Sequence, residues 1–168
     1  MSGWTMRPEA PGDERAIHKL VERAFAPMSF SDGDEQDLVD LLRERGELVL
    51  SLVMLDETGA IVGHIGFSPA AIDKSDCGWF QMAPVSVEPD FQRQGIGSAM
   101  IREGIEQLRQ RGAFGVAVVG DPGYYERFGF TKLSNLSPRS EHDAPYFRAM
   151  VLAGEPPSGT LRYASAFG

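Results

Sequence analysis

The spacing of apolar residues changes along the chain from a helical period to an extended one and back, which restricts the fold more than any other feature. Residues 13–46 follow a helical period that predicts two amphipathic helices, the first capped by Asp13 and the second beginning near Asp34. The first has one apolar stripe of Ile17, Leu20, Val21, Ala24 and Phe25, and the second is expected to bury Leu38, Val39, Leu41 and Leu42. Residues 48–67 follow an extended period broken by a turn, which predicts a β-hairpin. The helical period returns at 96–111. This order of elements indicates an α/β protein.

Further apolar runs predict the remaining strands, at residues 4–7, 77–87, 116–119, 130–133 and 146–152. Pro84 lies inside the second run. Because proline cannot donate to a β-ladder, pairing on one side of that strand is expected to fail or bulge there. Asp121 and Pro122 predict the start of a brief helix, since aspartate caps helices and proline is tolerated in the first turn. No repeat, low-complexity tract or linker interrupts the sequence, so residues 1–168 are expected to form a single domain.

The charge distribution argues against some classes of partner. The chain carries 24 Asp and Glu against 16 Lys and Arg, a net charge of −8. Because duplex nucleic acid is bound mainly through Lys and Arg on its phosphates, no nucleic-acid partner is expected. The excess acid lies in residues 1–60, which hold 13 acidic and 6 basic side chains, whereas residues 61–168 hold 11 and 10. The nearly neutral part could hold an anionic ligand.

Cysteine usage and hydropathy indicate a cytoplasmic protein that does not enter a membrane. Cys77 is the only cysteine, so no intrachain disulfide can form and an oxidising compartment is not implied. The first residues lack the apolar segment of a signal peptide. The longest apolar stretch, 48–55, is too short to span a bilayer. The three histidines are scattered and no Cys/His pair has ligand spacing, so no metal site is expected.

A glycine-rich segment between a strand and a helix is the most informative part of the sequence. Gly95 and Gly97 carry no side chains, so a ligand can approach the main chain there. The helix that follows offers N–H groups without intrahelical partners, which together with the helix dipole can bind a phosphate. Arg93 can add a positive charge. A plain tight turn is the alternative, and the segment matches neither a P-loop nor a dinucleotide fingerprint.

Two motifs resemble the GNAT superfamily of N-acetyltransferases. Gln92-x-x-Gly95-x-Gly97, preceded by Pro84-Val85-x-Val87-x-Pro89, resembles its acetyl-CoA signature, and Tyr125-x-x-x-Gly129-Phe130 is similar to a second family motif downstream. The resemblance implies a GNAT-like domain with a central mixed, mostly antiparallel sheet flanked by helices. In relatives the strands that correspond to residues 80–87 and 115–119 splay apart.

The resemblance also implies the cosubstrate, the reaction and the site. Acetyl-CoA would donate its acetyl group to an amine of a small molecule or peptide by direct attack, and a homodimer would be compatible with the family. Tyr125 matches the family's general acid, with Tyr124 as the neighbour that could take its place. Main-chain groups of Val85 and Val87 would bind the pantetheine arm, and the Val85 N–H could stabilise the oxyanion. The pyrophosphate would lie on amides of Arg93, Gln94, Gly95, Ile96, Gly97 and Ser98.

The general base and the acceptor stay open at this point. Residues 79–87 contain no acid, and Gln81 and Ser86 are not competent bases alone. Glu88 is most simply a solvated turn residue, and His64, which could act through water, is most simply a satisfied structural histidine. A non-catalytic acyl-CoA-binding module and an acyltransferase for a longer acyl-CoA remain alternatives to the acetyltransferase. The acidic residues 1–60 would border the acceptor side in the family and could attract cationic amines.

Overall fold

The computed structural model describes residues 3–168, apart from the side chain of Asp76, so Met1 and Ser2 of the expected domain lie outside the described residues. Within residues 3–168, four α-helices span Glu14–Phe25 (α1), Glu35–Glu44 (α2), Ile96–Gln110 (α3) and Pro122–Tyr125 (α4). The described part of the chain has eight strands, which span Thr5–Pro8 (β1), Leu50–Leu55 (β2), Ile61–Ile72 (β3), Ser75–Val87 (β4), Gly115–Val119 (β5), Leu136–Pro138 (β6), Phe147–Val151 (β7) and Gly159–Arg162 (β8).

The strands form one mixed sheet with the order β1-β2-β3-β4-β5-β7, and β8 pairs with β3 and β6 outside this path. The β1–β2, β2–β3, β3–β8 and β5–β7 pairs are antiparallel, and the β4–β5 and β6–β8 pairs are parallel. The described β4–β5 pairing joins Trp79 to Gly115 and ends at Gln81 and Ala117. Pairing between β4 and β5 therefore stops before Pro84, as the proline predicts.

The chain divides into two compact units, and β3, β4 and α3 each contribute residues to both. The first unit comprises the residues up to Phe67 together with 83–104. In it, α1 and α2 cover one face of β2 and β3 through a buried cluster of Ile17, Val21, Val39 and Val53. The second unit comprises 68–82 and 105–168, with a core that includes Trp79, Ala117, Phe147 and Leu161.

Most expected elements are present, and three expectations are wrong. Residues 130–133 form no strand, and only an isolated bridge joins Thr131 to Ala149, while the short β6 at 136–138 takes the place of a strand in this region. Asp13 occupies the N-cap position of α1 but its side chain makes no capping hydrogen bond, because Arg7 binds its carboxylate at 2.6 Å. Leu38 and Leu41 of α2, expected to be buried, are half-buried. None of the described helices is both long and apolar enough to cross a membrane.

Candidate active site

The glycine-rich segment forms a tight loop that leads directly into α3. A short 3₁₀ turn at Pro89–Phe91 follows β4, and the loop then passes through two left-handed residues, Arg93 (φ 65°) and Gly95 (φ 91°). Ala99 donates its N–H to the Gly95 carbonyl at 3.0 Å, so the N–H groups of residues 96–98 form the first turn of the helix. Such N–H groups have no partners within the helix and point towards its N-terminal side. The loop and helix therefore combine into an anion-binding geometry.

The loop is open on the side that a ligand would use. Arg93, Gln94 and Gly95 are exposed, and a Cβ built on Gly95 would have no atom within 4 Å. Arg93 holds a backbone conformation that is unfavourable for any residue other than glycine, and such strain concentrates at ligand-binding loops. The Gln92 side chain donates to the Val87 carbonyl at 3.1 Å, which ties the loop to the end of β4.

The end of β4 presents main-chain groups along one edge. Glu88 donates its N–H to the Val62 carbonyl of β3 at 2.8 Å, which sets the antiparallel register between the two strands. In such a pair, alternate residues direct both main-chain groups towards the partner strand. Ser86 therefore faces β3, whereas the N–H and carbonyl groups of Val85 and Val87 point to the opposite edge. The two half-buried valines predicted to bind the cosubstrate are thus the residues with outward main-chain groups.

Tyr125 lies in the second unit, at the end of α4. Asp121 caps this helix by accepting the Gly123 N–H at 3.0 Å, as predicted. The Tyr125 ring packs edge-on against Tyr124 and Phe130, with centroid distances of 5.0 and 6.1 Å. A Cβ built on Gly120 would lie 2.6 Å from Tyr125 Cε2, so the glycine makes room for the ring. The tyrosine is therefore held by its surroundings on several sides.

The chemical state of the Tyr125 hydroxyl follows from these surroundings. Burial, and then the charges of Tyr124 and Asp121, raise the pKa of Tyr125 well above that of a free phenol. The hydroxyl consequently stays protonated at neutral pH and can act only as a proton donor or hydrogen-bonding group. Among the described residues, no hydrogen bond involves this hydroxyl.

The two candidate bases from the sequence have different environments. Glu88 is bound by the Arg23 guanidinium in a bidentate pair with distances of 2.8 and 2.7 Å, so its carboxylate is engaged rather than simply solvated. His64 is fully buried, and its Nε2 lies 2.8 Å from Ser51 Oγ. Its Nδ1 has no hydrogen-bond partner in the described chain. The expectation of a satisfied structural histidine is therefore wrong for one of the two ring nitrogens.

His64 belongs to a partly buried polar network that the sequence did not reveal. Ser51 Oγ donates to Glu9 Oε1 at 2.6 Å, and the Arg43 guanidinium donates to both oxygens of Glu9 at 2.7 and 3.2 Å. Burial lowers the pKa of His64 to about 4. The negative charge of Glu9 raises this pKa, whereas the positive charge of Arg43 lowers it further. One signal was available in the sequence, because Ser51 is the single polar residue in the apolar run 48–55.

One group of side chains has the composition of a cation site. His18, Asp37 and Asp40 bring one ligand atom each to within 4.8 Å of one another. His18 Nδ1 lies 2.7 Å from Asp40 Oδ2, and all three residues are exposed or half-exposed on α1 and α2. A surface hydrogen bond between His18 and Asp40, with a neighbouring carboxylate, accounts for this arrangement without a metal.

Comparison with known proteins identifies the family of the chain. A family model described as the acetyltransferase (GNAT) family matches residues 15–130. The uncharacterized N-acetyltransferase YhbS of Escherichia coli strain K12 is 38% identical over 125 residues, which are 74% of this chain and 72% of the relative. The chain therefore belongs to the GNAT family and is an acyltransferase of that family.

Two solved structures extend the similarity over nearly the whole chain. A GNAT family acetyltransferase from Brucella melitensis in complex with acetyl-CoA is 39% identical, with a TM-score of 0.88 and 100% of both chains covered. YhbS from Escherichia coli in complex with CoA is 32% identical, with a TM-score of 0.90, and the match covers 98% of this chain and 92% of that one. The predicted family and α/β fold class are thus confirmed.

Proposed function

We propose that the protein is a single-domain, acetyl-CoA-dependent N-acetyltransferase that transfers an acetyl group to a primary amine of a small molecule or peptide. The observation that carries the proposal is the open, left-handed loop that leads into the N-terminus of α3. Relatives of similar sequence were crystallised with acetyl-CoA and with CoA, which supports the same cosubstrate here.

The pyrophosphate of acetyl-CoA binds to the loop and the first turn of α3. Main-chain N–H groups supply most of the attraction, and the helix dipole adds to it. Arg93 is the exposed side chain in the loop that can pair with a phosphate. The residues of this subsite are Arg93, Gln94, Gly95, Ile96, Gly97 and Ser98. The small net charge of these six residues is compatible with the net charge of −8 of the whole chain, because N–H groups supply most of the attraction.

The acyl-bearing arm of acetyl-CoA binds along β4. Its amide groups pair with the outward main-chain groups of Val85 and Val87, much as another strand would. The Val87 carbonyl already accepts a hydrogen bond from Gln92, so the Val87 N–H and the Val85 carbonyl are the groups that pair with the arm, which leaves the Val85 N–H for the reacting carbonyl. The Val85 N–H stabilises the oxyanion that forms when the amine attacks the thioester.

Tyr125 is the general acid that protonates the departing CoA thiolate. The hydroxyl of this half-buried tyrosine holds its proton at neutral pH, and no hydrogen bond joins it to the described residues. Tyr124 packs against it at 5.0 Å between ring centroids and serves as support for its position. Orientation of amine and thioester supplies a further large part of the rate enhancement.

The acceptor carries an amine, and residues 1–60 suit a cationic one. This part of the chain holds 13 acidic and 6 basic side chains. The negative charges raise the rate at which cationic acceptors meet the protein, and this increase in rate falls steeply with ionic strength. kcat/KM should accordingly drop with added salt for polycationic amines and stay constant for uncharged ones. The same salt dependence for both classes would contradict this steering.

Thiol release tests the proposed function directly. The protein is incubated with acetyl-CoA and a panel of amines, peptides and aminoglycosides, and free CoA thiol is followed over time. At least one acceptor should release thiol above the rate of acetyl-CoA hydrolysis, and acetyl-CoA should raise the Tm. Stabilisation without thiol release from any acceptor would indicate an acyl-CoA-binding module instead. Absence of stabilisation by both acetyl-CoA and CoA would refute the cosubstrate.

A further inference from the structure

The segment that carries Tyr125 has little apolar burial to hold it in place. It comprises α4 and the 3₁₀ turn Glu126–Phe128, which follows α4 directly. We call residues 122–128 the Tyr125 segment. Every residue in it is half-buried or exposed. Because packing of a buried face supplies most of the stability of helices in proteins, other contacts must fix the position of this segment.

The guanidinium of Arg148 reaches the Tyr125 segment from β7. Arg148 is 9% exposed. Its Nε donates to Glu126 Oε2 at 3.0 Å, and its Nη1 donates to the carbonyls of Pro145 and Phe147 at 3.2 and 2.8 Å. One side chain therefore binds the residue next to Tyr125 and also the main chain where β7 begins.

The ion pair of Arg148 and Glu126 occupies a place that an apolar side chain could fill. Arg148 is paired with Val118 of β5, which is 2% exposed, and directly opposed residues of a sheet share a face. A guanidinium is always charged, so burying it costs free energy that Glu126 and the two carbonyls offset. Replacing such pairs by apolar residues is often neutral or stabilising. The pair is therefore better explained by the geometry that it imposes than by stability.

A second contact ties the Tyr125 segment to the same place. Gly120, two residues before the segment, donates its N–H to the Tyr146 carbonyl at 3.0 Å. The chain is thus attached before Tyr125 through Gly120 and beyond it through Glu126. Both attachments are to residues 145–148. A segment held on both sides of a residue cannot pivot there as one held at a single point can.

The hydrogen bond to Glu126 also sets the direction of the Tyr125 side chain. Tyr125 ends α4, and Glu126 continues with helical dihedral angles, φ −61° and ψ −25°. Adjacent residues of a helix are about 100° apart around its axis, so a fixed direction for one side chain fixes the direction of the next. With Arg148 holding Glu126, the Tyr125 ring is directed onto Phe130 and Gly120, which it contacts.

From these contacts we infer that Arg148 is a positioning residue of the acetyl-transfer reaction, which holds Glu126 and thereby fixes the orientation of the Tyr125 hydroxyl. The inference rests on the proposed function, and all three residues belong to the second unit. In the reaction the amine nitrogen bonds to the thioester carbonyl carbon, the carbon–sulfur bond breaks, and the sulfur takes the phenol proton of Tyr125. The nitrogen loses a proton to water, and the Tyr125 phenolate regains one from solvent. Arg148 gains and loses no proton and acts only through Glu126.

A matched pair of variants at Glu126 tests the inference. Glu126→Gln loses the charge but keeps an oxygen that accepts from Arg148, whereas Glu126→Met has nearly the same length and no such oxygen. The Glu126 side chain is 51% exposed, so neither variant disturbs the core. Because a general acid works only within hydrogen-bond reach, kcat of Glu126→Met should be about tenfold below that of Glu126→Gln, with equal acetyl-CoA Kd values. Equal kcat values would overturn the inference.

A double-mutant cycle with Tyr125→Phe separates positioning from a general structural role. Relative to Glu126→Gln, Glu126→Met should lower kcat about tenfold when Tyr125 is present. In the Tyr125→Phe background the same comparison should differ by less than about twofold, because no hydroxyl is left to orient. The same factor in both backgrounds would refute the positioning role.

The same substitutions at Glu106 provide the control. Glu106 pairs with Arg109 at 3.4 Å on the exposed surface of α3. Glu106→Gln and Glu106→Met should have equal kcat values, because this ion pair holds no part of the Tyr125 segment. A comparable difference at Glu106 would attribute the effect at Glu126 to a lost polar surface group and would overturn the inference.

Failure of the proposed function gives a different result from failure of the inference. If the wild-type protein releases no thiol with any amine, the proposed function fails and the inference falls with it. If Tyr125→Phe keeps the wild-type kcat, the general acid is another group and Arg148 has no proton donor to position. If Tyr125→Phe is slowed and the two Glu126 variants are indistinguishable, only the positioning role fails.

Discussion

Gly104 of α3 lies directly against the buried ring of Phe67 from β3. A Cβ built on Gly104 would be 2.6 Å from Phe67 Cζ, closer than real Cβ atoms approach their neighbours. Gly104→Ala should therefore lower the free energy of unfolding by about 1–3 kcal/mol, although alanine is the better helix former by about 1 kcal/mol. Urea denaturation of the variant and the wild-type protein measures the difference.

The neighbouring position supplies the control for this prediction. Glu103 is exposed on the same helix, and Glu103→Ala should change stability by no more than about 0.5 kcal/mol. The double variant with Phe67→Leu and Gly104→Ala should recover part of the lost stability, because leucine is smaller than phenylalanine and leaves room for the new methyl group. A Gly104→Ala protein as stable as the wild type would mean that the ring moves away freely.

Much of this fold is predictable from the sequence because burial dictates its pattern. Four residues of the predicted α1 stripe, Ile17, Leu20, Val21 and Ala24, are buried, and the fifth, Phe25, is half-buried. The hairpin 48–67 is present as β2 and the first part of β3. Residues 130–133 look equally strand-like but form only one bridge, at Thr131. Pairing partners decide whether an apolar run becomes a strand, and they come from distant parts of the chain.

The candidate site likewise has features that the sequence predicts and features that it does not. The anion-binding loop is readable from the sequence, because Gly95 and the helix that follows are local features. The Glu9–Ser51–His64 network joins three separate segments, and the only local signal of it is the single polar residue Ser51 in the apolar run 48–55. Glu88 shows the same limit, since its bidentate partner Arg23 is 65 residues away in the sequence. Pairwise contacts between distant residues follow from tertiary structure alone.

Gly95 and Gly112 flank α3 and provide a matched pair for testing the phosphate subsite. Both have left-handed φ angles, 91° and 83°, and neither has an atom within 4 Å of a built Cβ. Gly95→Ala and Gly112→Ala should each cost about 1–2 kcal/mol of stability, because alanine is strained in this conformation. Only Gly95→Ala should weaken acetyl-CoA binding, by roughly tenfold, since its methyl group would stand in the proposed pyrophosphate site.

Isothermal titration calorimetry with acetyl-CoA and with CoA reads out this comparison. The two ligands share the pyrophosphate, so Gly95→Ala should weaken both by the same factor. If Gly95→Ala binds acetyl-CoA and CoA with wild-type affinity, the loop is not part of the cosubstrate site. An equal loss in Gly112→Ala would attribute the effect to strain in α3 rather than to the loop.

The burial of neutral His64 makes stability depend on pH. Its pKa is lowered to about 4, against an ordinary value near 6.5 in the unfolded chain. The unfolded state therefore binds the proton more tightly. The contribution of neutral His64 to the free energy of unfolding is fully present above about pH 6.5. It is lost as the pH falls to about 4, and the total loss is about 3 kcal/mol. Denaturant titrations at several pH values measure the slope.

His64→Gln isolates this contribution, since glutamine does not titrate. Other groups, including Glu9 with its lowered pKa, destabilise both proteins in acid, so the difference between the two pH profiles reports His64. The wild-type protein should lose about 3 kcal/mol more than the variant between pH 6.5 and 4. Identical pH profiles would show that His64 titrates normally in the folded state.

Tyr125 and Tyr124 offer a closely matched pair for testing the general acid. The rings are adjacent, 5.0 Å apart between centroids, and each loses only a hydroxyl group on substitution by phenylalanine. Tyr125→Phe should lower kcat by about 100-fold while acetyl-CoA Kd stays within about twofold, because the lost proton transfer acts only in the transition state. Tyr124→Phe should keep kcat within a fewfold of the wild type. Thiol release at saturating acetyl-CoA and amine, together with calorimetric Kd values, separates the two effects. A comparable drop in kcat in both variants would mean that the two rings act through packing. A drop in kcat confined to Tyr124→Phe would mean that Tyr124 is the general acid.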